Sequence, residues 1–389
     1  MKNNEFMKYK LILLLVAAVL IQGCSNDDII DSGNKKEIGF NLSTKKSQKS
    51  LQARAGETEL ADITDFRVSA HLKAVDTDPF TPNFMYGVRV VKTAPDTWAY
   101  SPIKYRPDAG GVDFYAYSPA NSLSATNFLE TATAPEVSYI VSSAADLQED
   151  FLIAKSLSTY AAPDWTNPWE GSGAVPLEFH HALSQIEFQG RCELPGLRFI
   201  VKSITLTNLK PKGDINLNTQ TWSNISGTET NYPVSIPEPI LFEYDTALMA
   251  ASPDEYEVIT DHVAGTETAM MLLPQTIVAG SPDAKTTENG KSHIAVTFAV
   301  LDWEDLALYG KFEVDSFGDI VLDANGVPVA TEYATVYIPL ELNAVPALNL
   351  IEPGKRYIFQ LKFNSLEPIV FDSMTVEDWD LITPAFDIE

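Results

Sequence analysis

The sequence predicts an all-β protein built from two tandem β-sandwich domains that follow an export signal. Many short segments alternate apolar and polar residues, which is the pattern of a half-buried strand. The 24 prolines and 20 glycines favour frequent turns, and no stretch of twelve or more residues has the pattern of an amphipathic helix. A length of 389 residues with 45% hydrophobic residues is sufficient for two domains with cores of their own.

The first 23 residues have the layout of a secretory signal peptide. Lysines at positions 2, 8 and 10 precede an apolar run over residues 11–21, which is shorter than the roughly 20 residues that span a bilayer. The segment "IQGC" is similar to a bacterial lipobox, in which the cysteine thiol is acylated and becomes the first mature residue. We therefore predict a lipoprotein signal peptide at 1–23, a lipid such as palmitate on Cys24, and a polar tether over 24–36.

The alternative is an ordinary signal peptide with an incidental cysteine. Two or more acyl chains would make anchoring stable, with the protein body held outside the bilayer. The acidic "SNDD" after Cys24 resembles the signal that sends some lipoproteins to the outer face of the outer membrane.

The net charge limits the classes of partner that the protein can bind, and the cysteine content limits its disulfide bonds. The formal net charge is -26 with a pI near 4.5, which repels phosphate backbones and argues against nucleic-acid binding. Once Cys24 is assigned to the lipid, Cys192 has no cysteine to pair with, and we expect it to be a buried thiol in a strand.

The N-terminal sandwich is predicted over residues 37–170. Its first strand, 37–43, places Ile38, Phe40 and Leu42 on one face, and residues 44–59 form an exposed loop. Further strands are expected in "DITDFRVSAHLK", "FMYGVRVVK", "TWAYSPIKY", "AGGVDFYAYSP" and "DFLIAKSL". In the fourth of these, Val112, Phe114 and Ala116 face one side and the tyrosines at 115 and 117 the other. A segment rich in Pro, Gly and Trp, "YAAPDWTNPWEGSGAVP", marks the junction.

The C-terminal sandwich is predicted over residues 171–389. It begins with a long strand in "LEFHHALSQIEFQG", interrupted by a bulge or register break after Leu183. The strand "LRFIVKSITLTNL" follows, hairpin signals occur at 289–290 and 325–326, and "GKRYIFQLKFN" and "PIVFDSMTVEDWD" close the domain.

Catalytic motifs are absent from the sequence. His180 and His181 are adjacent, so in a strand they point to opposite faces and cannot share a metal ion. The segment 323–326, "DANG", is better explained as a turn than as a calcium loop. We predict no enzymatic activity, no cofactor and no metal site, while a chance pair of carboxylates of the glycosidase type stays open.

The six tryptophans have two possible roles, stacking on a ligand or packing in the protein. Trp165 and Trp169 could stack on a sugar ring or pack at the domain junction. The other four, at positions 98, 222, 303 and 379, lie in or beside strands and are expected in the core.

The order of several motifs resembles that of a known family. "FMYGVRVVKTAPDTWAYSPIKYRPDAGGVDFYAYSPA", "VPLEFHHALSQIEF", "MLLPQTI", "PGKRYIFQLKF" and "VEDWD" are together similar to the Mfa-like fimbrillin family of outer-membrane lipoproteins, the subunits of type V pili. The resemblance covers about residues 37–380. The chain departs from it at Arg106 in "YRP", where the family often carries Trp.

The resemblance implies a fimbrial subunit of two transthyretin-like β-sandwich domains that supports cell adhesion. In such proteins an Arg-specific surface protease removes the leading strand from a lipidated precursor, and another subunit fills the groove by β-strand complementation. Arg54 is the only arginine before Arg67, so cleavage between Arg54 and Ala55 would release the lipid on Cys24 together with strand 37–43. The alternative is that Arg54 is a solvated charge in a linker.

The implied donor is the C-terminal segment, with Met374, Val376, Leu381 and Ile382 as candidate donor residues and Pro384 interrupting it. The implied partners are other subunits, the protease, the outer membrane through the lipid, and ligands on host or bacterial surfaces. The predicted location is therefore the outer membrane, the cell surface and the fimbrium. A second hypothesis is a surface lipoprotein that captures glycans as nutrients.

Overall fold

A computed structural model describes residues 36–44, 63–75, 77–78, 80, 83–125, 129–130, 135–161, 163–244, 256–260, 269–282, 284–341, 349–363 and 370–378. These residues form β-strands, turns and one 3-10 turn, Ala145–Leu147, with no α-helix among them. The prediction of an all-β protein is confirmed. Within the same ranges, no helix is long and apolar enough to cross a membrane.

The strands are numbered in chain order. Those of the first half are β1 (Phe40–Thr44), β2 (Asp65–Lys73), β3 (Met85–Ala94), β4 (Thr97–Tyr100), β5 (Gly111–Ser118), β6 (Leu129–Glu130), β7 (Pro135–Ile140), β8 (Leu152–Ser156), β9 (Thr159–Ala161), β10 (Asp164–Thr166), β11 (Val175–His181) and β12 (Ser184–Cys192). Those of the second half are β13 (Leu197–Leu209), β14 (Lys212–Asn216), β15 (Thr221–Ser226), β16 (Thr230–Pro233), β17 (Ile240–Glu243), β18 (Glu257–Val258), β19 (Met270–Leu272), β20 (His293–Asp302), β21 (Ala307–Tyr309), β22 (Lys311–Phe312), β23 (Ala330–Glu332), β24 (Ala334–Pro339), β25 (Lys355–Phe363) and β26 (Val370–Asp378).

The largest sheet has seven strands in the order β1-β11-β8-β5-β2-β3-β4. A five-stranded sheet has the path β18-β12-β25-β26 with β19 also paired to β12, and a six-stranded sheet has the path β16-β13-β20-β21 with β17 and β24 attached. A four-stranded sheet runs β15-β14-β7-β6, and β9 with β10 and β22 with β23 form two small ribbons. Strand β7 of the first half thus pairs with β14 of the second.

Strand β5 separates two hydrophobic clusters, and its sequence explains how. It lies between β8 and β2, so both of its edges are paired, and all eight of its residues are buried, so both of its faces are covered as well. Because successive side chains of a strand alternate, Phe114 enters the cluster shared with β1, β2 and β11, while Tyr115 and Tyr117 enter the larger cluster formed with the second half. The predicted division of this strand between two faces is confirmed.

The predicted long strand after the junction is two strands in different sheets. β11 joins the seven-stranded sheet beside β1 and β8, whereas β12 joins the five-stranded sheet beside β25. The chain bends at Ala182 and Leu183, both buried, so apolar residues are continuous in sequence although the strand is not. The domain boundary between 170 and 171 stays a prediction. Strand β11 lies after this boundary, but it pairs with β1 and β8, which lie before it.

A small separate unit contains residues 36–37 and 104–106. Glu37 forms an isolated antiparallel bridge with Tyr105, and the Arg106 amide donates a hydrogen bond to the Lys36 carbonyl oxygen at 3.0 Å.

Candidate functional site

Strand β1 lies at one end of the seven-stranded sheet. It runs parallel to β11, with Phe40 opposite Val175 and Thr44 opposite Phe179. The Val175 amide also donates to the Gly39 carbonyl oxygen at 2.8 Å, just before β1 begins. Because β1 ends the strand order, the ladder binds one side of its backbone, and no other strand of the described residues pairs with the second side. Parallel pairing was not anticipated from the sequence.

The side chains of this segment alternate between core and solvent. Ile38, Phe40 and Leu42 are 2%, 5% and 6% exposed, respectively, whereas Asn41 and Ser43 are exposed. The observed strand starts three residues later than the predicted 37–43 and extends one residue further. Three alternate apolar side chains therefore fill positions of the N-terminal core from a strand at its edge.

Phe40 is the centre of this contribution. Its ring lies edge-on against Phe66 of β2, Tyr100 of β4 and Phe114 of β5, with centroid distances of 5.5, 5.6 and 6.0 Å. Edge-to-face aromatic pairs at these distances stabilise a core beyond the area they bury. Phe40 belongs to the same buried cluster as Phe66, Phe114 and Phe179, and Tyr100 packs against that cluster.

A tyrosine from the opposite end of the sheet also holds the segment. The Tyr100 hydroxyl of β4 donates a hydrogen bond of 2.8 Å to the Ile38 carbonyl oxygen. Since β1 and β4 are the first and last strands of the order, the sheet curls until its two ends approach each other. No pattern in the sequence indicated this role of Tyr100.

The candidate donor residues lie in a different sheet. Met374 and Val376 belong to β26, which ends the five-stranded sheet and pairs antiparallel with β25, opposite Phe359 and Tyr357. The Val376 side chain is 46% exposed. The structure thus does not bring β1 and β26 together in one sheet.

Five of the predicted site residues lie outside the described residues. They are Cys24, Arg54, Ala55, Leu381 and Ile382. The next arginine after Arg54 is described: Arg67 lies in β2, and its guanidinium donates to the carbonyl oxygens of Ala120 and Gly87 at 2.7 and 3.0 Å.

Most of the tryptophan predictions can be compared with the structure. Trp169 is 5% exposed and packs edge-on against Phe114 at 6.1 Å, so it is not available to stack on a sugar. Trp165 is half-buried against Tyr160, its neighbour in the β9–β10 ribbon. Trp98 and Trp222 were expected in the core; both are half-buried and pack against the two hydrophobic clusters. The expectation for Trp303 is wrong, because it is 74% exposed, and Trp379 lies outside the described residues.

The chemistry-bearing side chains elsewhere fit structural roles. Cys192 is buried in β12, and burial raises the pKa of its thiol, which disfavours the reactive thiolate. His181 pairs with Asp150 through Nδ1 at 2.8 Å. In the described ranges, no three His, Cys, Asp or Glu side chains are placed to hold a metal ion. The Asp323 carbonyl oxygen accepts the Gly326 amide at 3.1 Å, so "DANG" is the predicted turn.

Comparisons with known proteins agree with this architecture. A family model described as fimbrillin-like matches residues 53–379. No curated protein matches the chain. A fimbrial protein from Bacteroides vulgatus superposes with a TM-score of 0.57 at 15% identity, over 89% of this chain and 100% of that chain. At this identity the likeness establishes a shared fold.

Two further solved structures give lower scores. A candidate cell adhesion protein from Bacteroides uniformis has a TM-score of 0.44 at 14% identity, over 89% of this chain and 99% of that one. The C-terminally truncated tip fimbrial protein Mfa3 from Porphyromonas gingivalis has a TM-score of 0.33 at 9% identity, over 89% and 100%. At these scores neither superposition establishes a shared fold.

Proposed function

Because the chain belongs to the fimbrillin-like family, we propose that it is a structural subunit of an adhesive fimbrium that assembles by strand exchange. The precursor is anchored in the outer membrane through lipid on Cys24. An Arg-specific surface protease cuts between Arg54 and Ala55, and β1 leaves with the lipid. The vacated groove then accepts a strand from another subunit.

The position of β1 carries this proposal. Among the described residues it has one ladder partner, yet Phe40 and Leu42, together with Ile38 just before the strand, are all at most 6% exposed. Full burial of an aliphatic or phenylalanine side chain contributes roughly 1.5–3 kcal/mol, so three contribute about 5–9 kcal/mol. A whole domain is stable by only about 5–15 kcal/mol. Loss of β1 would therefore remove a free energy comparable with the stability of the whole domain, and a replacement strand would restore it.

The incoming strand would restore the same interactions by β-augmentation. It would pair with β11 over Val175–Phe179 and insert alternate apolar side chains among Phe66, Tyr100 and Phe114. The candidate donor is the C-terminal segment with Met374, Val376, Leu381 and Ile382. The position of β26 at the end of its sheet supports this choice, because β25 is the one strand it pairs with in the described part of the chain.

The surroundings of Arg67, the next arginine after Arg54, support cleavage at Arg54 rather than further along the chain. Arg67 is part of a central strand, between β5 and β3, and its guanidinium donates two hydrogen bonds. A protease needs an extended, accessible segment, which a hydrogen-bonded strand does not offer. Cleavage would therefore occur before β2 and leave the rest of the sheet intact.

The experiment is to treat the purified precursor with an Arg-specific protease and follow mass and oligomeric state. We expect one early cut between Arg54 and Ala55, release of the fragment that contains β1, and a ladder of oligomers. Arg54→Lys should abolish the cut and the ladder, whereas Arg89→Lys, at another arginine with a partly exposed side chain, should leave both unchanged. Cleavage that yields a stable monomer would contradict assembly by strand exchange.

A further inference from the structure

Residues 302–332, here called the arm, connect β20 to β24 and expose several large hydrophobic side chains. The arm is 31 residues long but holds six of the twenty exposed large hydrophobic residues found among the described residues. Their exposed fractions are 74% for Trp303, 61% for Leu306, 37% for Tyr309, 54% for Val314, 88% for Phe317 and 53% for Leu322. Single exposed hydrophobic residues are ordinary, but a concentration of them on one segment is typical of an interaction surface.

The turn that carries Phe317 is held in one conformation. The Asp315 carboxylate accepts hydrogen bonds from the amides of Phe317 and Asp319 at 2.8 and 3.0 Å, and Gly318 takes a φ of 91°. Asp323 caps the next turn in the same way, with its carboxylate 2.8 Å from the Asn325 amide. The phenylalanine is therefore presented by a fixed backbone.

Backbone pairing joins these two turns into one unit. The Glu313 amide donates to the Val329 carbonyl oxygen at 2.9 Å, the Val321 amide to that of Glu313 at 3.0 Å, and the Val329 amide to that of Val321 at 2.9 Å. Three chain segments thus meet at one junction, from which both turns project. A surface that is already ordered loses little conformational entropy when it binds.

A third aspartate-capped turn presents Trp303. The Asp302 carboxylate accepts hydrogen bonds from the amides of Glu304 and Leu306 at 2.9 and 2.8 Å, and Arg198 donates to the Asp302 carbonyl oxygen at 2.9 Å. Tryptophan and phenylalanine displayed in this way supply large contact areas with few rotatable bonds, which is typical of binding hot spots.

The charge of the arm defines its partner. It contains eight acidic residues and one basic residue, Lys311. Of these, Glu304, Glu313 and Asp319 form no ion pair within the described part of the chain. We infer that the arm binds a protein segment in which lysine or arginine side chains flank apolar ones.

This binding site does not depend on strand exchange, so the two can be tested separately. The probes are three immobilised peptides of equal length with alternating Lys-Leu, Lys-Ser or Glu-Leu, and the analyte is the purified full chain. We expect the chain to bind Lys-Leu more tightly than Lys-Ser and not to bind Glu-Leu. Higher ionic strength should weaken binding to both cationic peptides.

Two pairs of variants locate the site. Phe317→Ser should weaken binding to Lys-Leu about tenfold, as expected of a hot-spot aromatic, whereas Leu123→Ser, at a residue 96% exposed elsewhere, should not. The triple variant Glu304→Gln, Glu313→Gln and Asp319→Asn should weaken binding to both cationic peptides. The matched control neutralises three exposed carboxylates outside the arm: Asp164→Asn, Glu178→Gln and Glu238→Gln.

Four results would overturn the inference. Equal effects of the Phe317 and Leu123 variants, equal effects of the two triple variants, or equal affinity for Lys-Leu and Lys-Ser would each show that net charge alone attracts the peptides. Binding to immobilised neutral mannan that is lost in Phe317→Ser would instead assign the arm to a glycan. Unchanged thermal unfolding of every variant ensures that the affinities compare folded proteins.

Discussion

Replacement of Phe40 by alanine tests whether β1 is an integral part of the N-terminal core. The side chain is 5% exposed and contacts three aromatic rings that belong to three other strands. Truncation of a buried phenylalanine costs about 3–5 kcal/mol, because the lost transfer free energy adds to that of the cavity. We expect a loss near the upper half of this range, since each edge-on aromatic pair contributes about 0.5–1.5 kcal/mol of its own.

The assay is urea unfolding followed by far-UV circular dichroism. The midpoint should fall while the slope with denaturant stays the same, which indicates a change in stability rather than in the surface exposed on unfolding. Asn41→Ala is the matched control, because Asn41 is the adjacent residue and faces solvent. It should change the free energy of unfolding by less than about 0.5 kcal/mol. A loss below about 1 kcal/mol for Phe40→Ala would refute the assignment of β1 as a core strand.

Three further predictions concern the side chains of Tyr100, His71 and Cys24. Tyr100→Phe removes the hydrogen bond to the Ile38 carbonyl oxygen and should cost about 0.5–1.5 kcal/mol in the same urea assay, with an unchanged stability contradicting the contact. Burial lowers the pKa of His71, so the unfolded chain binds a proton more readily than the folded chain, and the free energy of unfolding should fall as the pH drops below about 6.5. His71→Gln should flatten that part of the pH profile, and a profile identical to the wild type would contradict the assignment. Cys24→Ser should abolish labelling by a palmitate analogue and release the protein from the membrane fraction, whereas Cys192→Ser should retain both label and location.

The parts of the fold that follow from local periodicity could be predicted. The alternation of apolar residues in "EIGFNLS" and "GVDFYAYS" placed side chains on the correct faces, because neighbouring side chains of a strand point in opposite directions. Periodicity does not identify the partner of a strand. The parallel pairing of Phe40 with Val175 joins residues far apart in sequence, and no local pattern indicates it.

Two predictions were wrong for the same reason: the single long strand over β11 and β12, and the burial of Trp303. In both, a continuous run of apolar residues was read as a continuous strand. Ala182 and Leu183 are buried in a bend rather than a strand, so β11 and β12 looked like one segment. Trp303 follows the apolar β20 but belongs to a turn capped by Asp302, which directs it to solvent. The aspartate in "DWED" is the signal that could have indicated this turn, as it did for "DANG".

The most direct test of strand exchange is a binding measurement with the first strand supplied as a peptide. A chain that begins at Ala55 is titrated with a synthetic peptide of residues 36–44, and binding is followed by isothermal calorimetry. We expect one peptide to bind per chain with a Kd of about 1 μM or tighter, because three apolar side chains become buried and a new ladder forms with β11. A peptide with Phe40→Ser should bind at least tenfold more weakly. Absence of saturable binding, or equal affinity for the two peptides, would show that β1 does not occupy an exchangeable groove.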